Sequence, residues 1–155
     1  MGSITPCLWF DGDAEEAARL YTSVVRNSRI LGVSRAGDGP EDAAMMVTFE
    51  LDGQPFVALN GGPQYTFTEA TSFQIACGDQ AEVDRYWAAL TADGGEEGRC
   101  GWLKDRFGLS WQVIPTALPA LIGGDDPDGA RRAMTAMLAM GKLDIAALKA
   151  AYQGD

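Results

Sequence analysis

Few residues of this sequence have the chemistry of a catalytic group, and histidine is absent from all 155 positions. Cys100 lies close to Lys104, whose positive charge would lower the pKa of the thiol and favour a nucleophilic thiolate. Without histidine this thiol lacks its usual general base, and an inert, buried thiol is the alternative interpretation. Glu69 is a candidate general base, although a loop carboxylate is commonly just solvated. The residue types therefore identify no particular reaction.

The amino-acid composition argues against some classes of binding partner. The formal charge is −10, from 22 acidic and 12 basic residues. Such a surface repels phosphate backbones and anionic membranes, so we expect neither nucleic acid nor a membrane as a partner. No stretch approaches the roughly 20 apolar residues that span a bilayer. The three cysteines, an odd number without a Cys-x-x-Cys pair, predict reduced thiols and a cytoplasmic protein.

A repeat with an offset of 66 residues organises the chain. Residues 12–21 match residues 78–87, with glycine, aspartate, glutamate and arginine at the same places. Each segment predicts the start of an amphipathic helix. Asp13 and Asp79 are the expected N-caps, each followed three positions later by a glutamate, as in a capping box.

Predicted strands surround both helices. They are residues 4–10, 28–35, 45–51 and 54–60 in the first half, and 70–77, 100–105 and 109–115 in the second half. Asp52-Gly53 between two alternating apolar runs is a strong hairpin signal. The counterpart of strand 28–35 would lie near residues 94–98, where glycines predict a short or irregular strand.

The pattern changes after Pro115. Helices are predicted at 118–122, at 130–140 with Asp128 as its cap, and at 143–152. The methionine-rich face of the second of these helices indicates core packing or a subunit contact. The fold class predicted is α+β: two tandem βαβββ modules, about 4–61 and 70–115, with C-terminal helices at about 117–152. All of these lie in a single domain, 1–155.

Several segments together resemble one known family. They are ITPCLWFDG (4–12), ALNGGP (58–63), DQAEVDRYW (79–87), CGWLKDRFGLSWQ (100–112), and AMLAM (136–140) followed by LDI (143–145). As a set they resemble the PhnB-like branch of the glyoxalase/bleomycin-resistance (vicinal oxygen chelate) superfamily. Members of this branch are often labelled 3-demethylubiquinone-9 3-methyltransferase. The resemblance implies sheets that curve around a cavity, and two chains assembled as a homodimer.

Metal-dependent members of the superfamily hold a divalent ion with four His, Glu or Gln side chains. The matching positions in this chain are Pro6, Ala58 or Asn60, Ser72 or Phe73, and Gln112. Proline and alanine offer no ligand atom, and an amide offers only a neutral carbonyl. We therefore expect no metal and no other cofactor.

The methyltransferase activity in the family label has no support from the residues. A nucleoside-type methyl donor is normally held by a glycine-rich turn between a strand and a helix. Residues 60–63 follow a predicted strand, but they run into Pro63, Gln64 and Tyr65 with no helix after them. A turn is the better interpretation of these glycines.

The resemblance also suggests which side chains line a pocket. Gln112 would point into the cavity and Trp111 would pack on a helix, while Asn60 would share a face with the cavity. The predicted ligand-binding residues are Asn60, Phe67, Cys100, Trp102 and Gln112. Amides can bind a polar group and aromatic rings can stack on a flat one, although Trp102 and Phe67 are alternatively core residues.

These observations predict a metal-free small-molecule binding protein. The alternative is an enzyme of the superfamily, lyase-, isomerase- or dioxygenase-like, or the methyltransferase that the label names. A third possibility is a dimeric interaction module without a ligand.

Overall fold

The computed structural model describes residues 2–37, 39 and 43–155. They form two compact units, of which the first ends at Phe67 and the second begins at Thr68. No helix among these residues is long and apolar enough to cross a membrane.

The first unit is a four-stranded sheet covered by one helix. Its elements are β1 (Cys7–Phe10), α1 (Ala14–Val24), β2 (Arg29–Arg35), β3 (Ala44–Leu51) and β4 (Gln54–Asn60). The strand order is β1-β4-β3-β2, with β1 and β4 parallel and the other pairs antiparallel. The β3–β4 turn has positive φ at both Asp52 (48°) and Gly53 (81°), as the predicted Asp-Gly turn requires.

The core of the first unit lies between α1 and one face of the sheet. The helix buries Ala14, Ala17, Ala18, Tyr21 and Val24, and the sheet buries Leu8, Phe10, Val47, Phe49, Phe56 and Ala58 against it. We call this side of a sheet its helix-facing face and the opposite side its helix-distal face.

The second unit repeats this order and adds three helices. Its elements are β5 (Ser72–Cys77), α2 (Gln80–Thr91), β6 (Glu96–Glu97), β7 (Trp102–Lys104), β8 (Ser110–Pro115), α3 (Leu118–Ile122), α4 (Pro127–Leu138) and α5 (Ile145–Gln153). The strand order β5-β8-β7-β6 corresponds to that of the first unit. The predicted α+β fold with two βαβββ modules and C-terminal helices is confirmed, and so is the short strand after α2.

The helix caps correct two sequence expectations. Asp79 accepts a hydrogen bond from Glu82 N at 2.9 Å, as expected of an N-cap, whereas the side chain of Asp13 makes no capping hydrogen bond. In α4 the cap is Asp126, not Asp128, because Pro127 takes the first helical position. Proline is favoured there, since its missing N–H would have no helical partner.

A buried carboxylate organises the turn between β7 and β8. Asp105 is only 2% exposed and accepts hydrogen bonds from Phe107 N (2.8 Å), Leu109 N (3.1 Å) and Trp111 Nε1 (2.9 Å). Trp111 is 3% exposed and is in register with the buried Leu103, so it lies on the helix-facing face of β8, as predicted. By strand alternation, its neighbours Ser110 and Gln112 lie on the helix-distal face.

Candidate functional site

The helix-distal face of the second sheet carries a cluster of polar side chains. Strand register places Ser72 beside Ser110, Gln74 beside Gln112, Trp102 opposite Gln112, and Lys104 opposite Ser110. Trp102, Lys104 and Gln112 on this face are half-buried, whereas Leu103, Trp111 and Val113 on the other face are buried. The helix-distal face is therefore the part of the second unit where polar groups can meet a ligand.

Three of these side chains form a hydrogen-bonded chain. Gln74 Nε2 donates to Gln112 Oε1 at 3.2 Å, and Gln112 Nε2 donates to Ser72 Oγ at 2.8 Å. Each amide keeps further donor or acceptor capacity beyond these bonds. These two hydrogen bonds fix the orientation of the Gln112 amide. Polar groups with a fixed orientation give a binding face its selectivity.

A pocket of about 300 Å³ opens beside these three hydrogen-bonded side chains. It is lined by Glu69, Glu96, Glu97, Gly98, Arg99, Trp102, Leu103, Lys104 and Ser110. Ser110 is 1% exposed, and its Oγ has no hydrogen-bond partner among the residues that the structure describes. A buried hydroxyl without a protein partner is unfavourable, so this atom is available to hydrogen-bond a molecule that enters the pocket, a water or a ligand.

Two of the residues that line the pocket form an ion pair. The ammonium group of Lys104 contacts the carboxylate of Glu69. The hydrogen bond between them raises the pKa of Lys104 and lowers the pKa of Glu69. Lys104 therefore keeps its proton near neutral pH and is a poor general base for Ser110, the residue opposite it. This electrostatic arrangement favours binding over nucleophilic catalysis by the serine.

The structure brings together two of the five predicted ligand-binding residues. Trp102 and Gln112 are cross-strand partners on the helix-distal face, and both are half-buried. Cys100 is near them in sequence but lies before β7, in a turn where its φ is 59°. The strand predicted over residues 100–105 is therefore too long, because β7 begins two residues later, and Cys100 does not lie on the strand face that carries Trp102.

Asn60 belongs to the first unit, and the structure gives its side chain a different position from the predicted one. Its Oδ1 accepts from Ala14 N at 3.0 Å, at the start of α1, and its Nδ2 donates to Ala44 O at 2.9 Å. Asn60 thus supplies the cap that Asp13 does not. The expected cavity-facing orientation of Asn60 is wrong, because Phe56 and Ala58, which share its side of β4, are buried against the helix.

Phe67, also in the first unit, is half-buried and packs edge-on against Phe10, with ring centroids 5.2 Å apart. Phe10 is 3% exposed and lies on the helix-facing face. These contacts favour the core interpretation of Phe67 that the sequence left open.

The glycines after Asn60 have a packing role. A Cβ on Gly61 would lie 2.2 Å from Cζ2 of Trp9, and Trp9 Nε1 donates to Gly62 O at 2.9 Å. Tyr65 then packs edge-on against Trp9 at 5.0 Å. Residues 61–65 therefore fold over the Trp9 ring, which explains the glycines without a phosphate or nucleoside ligand.

Sequence reasoning missed two residues of the site. Ser110 and Gln74 follow from the same alternation that placed Gln112, because Ser110 is two residues before it and Gln74 is beside it in register. The alternation signal was present for Ser110, but nothing in the sequence shows that its hydroxyl lacks a partner.

The donor set around Gln112 does not suit a metal of the family type. The atoms near Gln112 are the hydroxyl of Ser72 and the amide of Gln74, all neutral. First-row metal ions prefer imidazole, thiolate or carboxylate ligands. Among the described residues, no three His, Cys, Asp or Glu side chains come together in a cluster that would hold a metal ion.

The chain is similar to known proteins in family and in fold. The profile of the 3-demethylubiquinone-9 3-methyltransferase family matches residues 2–114. A PhnB protein from Bacillus cereus with this family name is 33% identical, with a TM-score of 0.67, and the match covers 74% of this chain and 100% of that chain. No curated protein matches the sequence.

Two further solved structures are similar in fold. A protein from Pseudomonas aeruginosa is 23% identical with a TM-score of 0.62, and the match covers 74% of this chain and 98% of that chain. The fosfomycin resistance protein FosX from Mesorhizobium loti is 14% identical with a TM-score of 0.55, covering 73% and 90%. At these identities the likeness shows the fold alone.

Proposed function

Because the chain belongs to the 3-demethylubiquinone-9 3-methyltransferase (PhnB-like) family of the glyoxalase/bleomycin-resistance superfamily, we propose that it binds a small molecule without a metal. The ligand site is the helix-distal face of the second sheet. The observation that carries this proposal is the buried, unpartnered Ser110 hydroxyl in the wall of a pocket next to Trp102.

The pocket suits a compact, flat ligand. A volume of about 300 Å³ is at the lower end of small-molecule sites, enough for one or two fused rings. Trp102 offers a surface for stacking, and Ser110 can donate or accept one hydrogen bond. We therefore choose 2-naphthol as a defined probe, since it combines two fused rings with one hydroxyl group.

Replacing Ser110 with alanine tests the proposal, because stability and binding should change in opposite directions. The variant loses an unpaired buried hydroxyl, so the ligand-free protein should become more stable by about 1 kcal/mol. Its affinity for 2-naphthol should fall about fivefold, the loss of one hydrogen bond. Urea unfolding measures the first quantity and isothermal titration calorimetry the second.

The matched control is Ser72→Ala, whose hydroxyl already accepts from Gln112. This variant should lose stability, in contrast to Ser110→Ala. The proposal fails if Ser110→Ala binds 2-naphthol and every hit of an aromatic fragment screen as tightly as the wild type, or if no fragment raises the Tm of the wild type.

Assembly into a homodimer, and a cytoplasmic location, belong to the same proposal. Three large apolar side chains on neighbouring strands of the first sheet support the dimer, since they are 40–52% exposed in the single chain: Leu31, Met45 and Met46. Light scattering on purified protein should give twice the 16.5 kDa mass of one chain. A mass of 16.5 kDa at all concentrations would contradict the dimer but not ligand binding.

A further inference from the structure

The C-terminal helices lie outside residues 2–114, the part of the chain matched by the family. Their core consists of Leu118, Leu143 and Leu148, and Ile114 packs against it. Ile114 follows Gln112 by two positions on the helix-distal face of β8. The helices therefore cover the end of the face on which we place the ligand site.

Residues 140–145, which connect α4 to the first residue of α5, are hydrogen-bonded to the turn that precedes β7. Cys100 N donates to Met140 O and Gly101 N donates to Gly141 O, both at 2.9 Å. Both turn residues are left-handed, with φ of 59° at Cys100 and 85° at Gly101. The C-terminal segment thus supplies the acceptors for two consecutive N–H groups in an unusual backbone conformation.

Gly101 is closely surrounded at this junction. A Cβ on Gly101 would lie 2.9 Å from Val113 O and 3.2 Å from Cδ1 of both Ile114 and Leu143. The turn, the end of β8 and residue 143 are therefore in direct contact. A displacement of the C-terminal segment would remove one side of this junction.

A second set of bonds fixes the segment to the start of α2. Gln80 Nε2 donates to Leu143 O at 3.0 Å, and Gln80 Oε1 accepts from Ile145 N at 2.8 Å. Lys142 Nζ also lies 2.8 Å from Asp84 Oδ1. The side-chain amide of Gln80 therefore bonds one backbone C=O group and one backbone N–H group of the segment, as the backbone of a neighbouring strand would.

The bonded turn forms part of the pocket wall. Gly98, Arg99 and Trp102 all line the pocket, and Gly98 N donates to Trp102 O at 2.9 Å. A Cβ on Gly141 would lie 3.3 Å from Gly98 O, so the C-terminal segment also contacts the turn at this point. The position of the segment is thus coupled to the shape of the wall through direct contacts.

We propose that residues 140–145 are a positioning element of the ligand site, and that Gln80 is the residue that holds them in place. The segment fixes the turn 98–101 and thereby the orientation of Trp102. Because coupling between two equilibria is reciprocal, a compound bound in the pocket also stabilises the docked segment. The statement about binding rests on the proposed function, whereas the statement about the turn does not.

Amide hydrogen exchange of Cys100 and Gly101, measured by NMR, tests the positioning without any ligand. Gln80→Met keeps the length of the side chain but removes its two hydrogen bonds to the segment, together with its hydrogen bond to Asp84 Oδ1. It should accelerate exchange at these two amides about tenfold, the effect of losing two weak hydrogen bonds on a local opening. The amide of Thr116, bonded to Cys77 O at 2.8 Å, reports opening of the rest of the unit and should not change.

The matched control is Gln54→Met, since Gln54 is an exposed glutamine of the first unit whose side-chain amide donates to the neighbouring Pro55 O. It should leave all three amides unchanged. If Gln80→Met has no effect at Cys100 and Gly101, or accelerates Thr116 equally, then Gln80 does not position the turn.

Titration with 2-naphthol measures the affinity of the pocket, which Gln80→Met would leave unchanged if Gln80 had a purely structural role. Gln80→Met should weaken binding about threefold, and saturating 2-naphthol should slow exchange at Cys100 and Gly101 in the wild type. Faster exchange with unchanged affinity would overturn the role in the site. Failure of 2-naphthol to bind the wild type would count against the coupling to ligand and this choice of probe, while the exchange data would still decide the positioning of the turn.

Discussion

Asp105→Ala should lower the free energy of unfolding by about 4 kcal/mol, because three donors lose a carboxylate acceptor in a buried site. Oδ1 accepts from the backbone of Phe107 and Leu109, and Oδ2 accepts from the indole of Trp111. With the carboxylate 2% exposed, water does not replace it without a rearrangement of the turn. Urea unfolding followed by tryptophan fluorescence measures the loss.

Asp105→Asn is the informative companion variant. Its carbonyl oxygen can still accept from the two backbone N–H groups, but its NH₂ group would face the Trp111 N–H. We expect about half the loss of the alanine variant, since one of the three contacts becomes unfavourable. A loss below about 1 kcal/mol for Asp105→Ala would show that the turn is not held by this carboxylate.

The same turn connects the buried carboxylate to the site. Asp105 follows Lys104 directly, and the turn leads into Ser110. A distorted turn would shift the register of β7 against β8, which aligns Lys104 with Ser110 and Trp102 with Gln112. Loss of stability and loss of the pocket should therefore accompany each other in Asp105 variants.

The sequence was sufficient for the order of elements because each signal is local. The repeat at 12–21 and 78–87 marked both helices, and Asp52-Gly53 marked a hairpin turn whose positive φ angles need those residue types. The alternation along β8 separated Trp111 from Ser110 and Gln112. The profile match over residues 2–114 is consistent with these local signals extending over most of the chain.

The site was less predictable because its decisive contacts are not local. Alternation shows that Phe56, Ala58 and Asn60 share a face, but the other face of β4 carries the equally apolar Val57 and Leu59. Composition alone could not tell which face meets α1. The bond from Asn60 to Ala14 spans 46 positions of sequence, so no window around the helix start would reveal it.

Cys100 illustrates a second limit. The sequence pattern from Cys100 to Asp105 predicts one continuous strand. The left-handed backbone conformation at Cys100 and Gly101 instead shortens β7 to three residues. That conformation depends on acceptors from Met140 and Gly141, about forty residues later. A turn stabilised from the far end of the chain has no signature in its own sequence.

Asn60→Leu should cause the second large loss of stability. This variant distinguishes the structural role of Asn60 from its predicted ligand-binding role. Leucine is similar in size but cannot accept from Ala14 N or donate to Ala44 O. Two half-buried backbone groups then lose their partners, and we expect a loss of about 3 kcal/mol in the free energy of unfolding. Thermal and urea unfolding measure this loss.

Asn60→Asp sharpens the test, because a carboxylate can cap α1 but cannot donate to Ala44 O. Its charge is favourable at a helix N-terminus, whereas its second oxygen would face a carbonyl oxygen. The aspartate variant should therefore be more stable than the leucine variant and less stable than the wild type. If both variants keep wild-type stability while 2-naphthol binding is lost, Asn60 is a ligand residue after all. If stability falls and binding to the folded protein is unchanged, the amide serves the helix, and the ligand site is confined to the second unit.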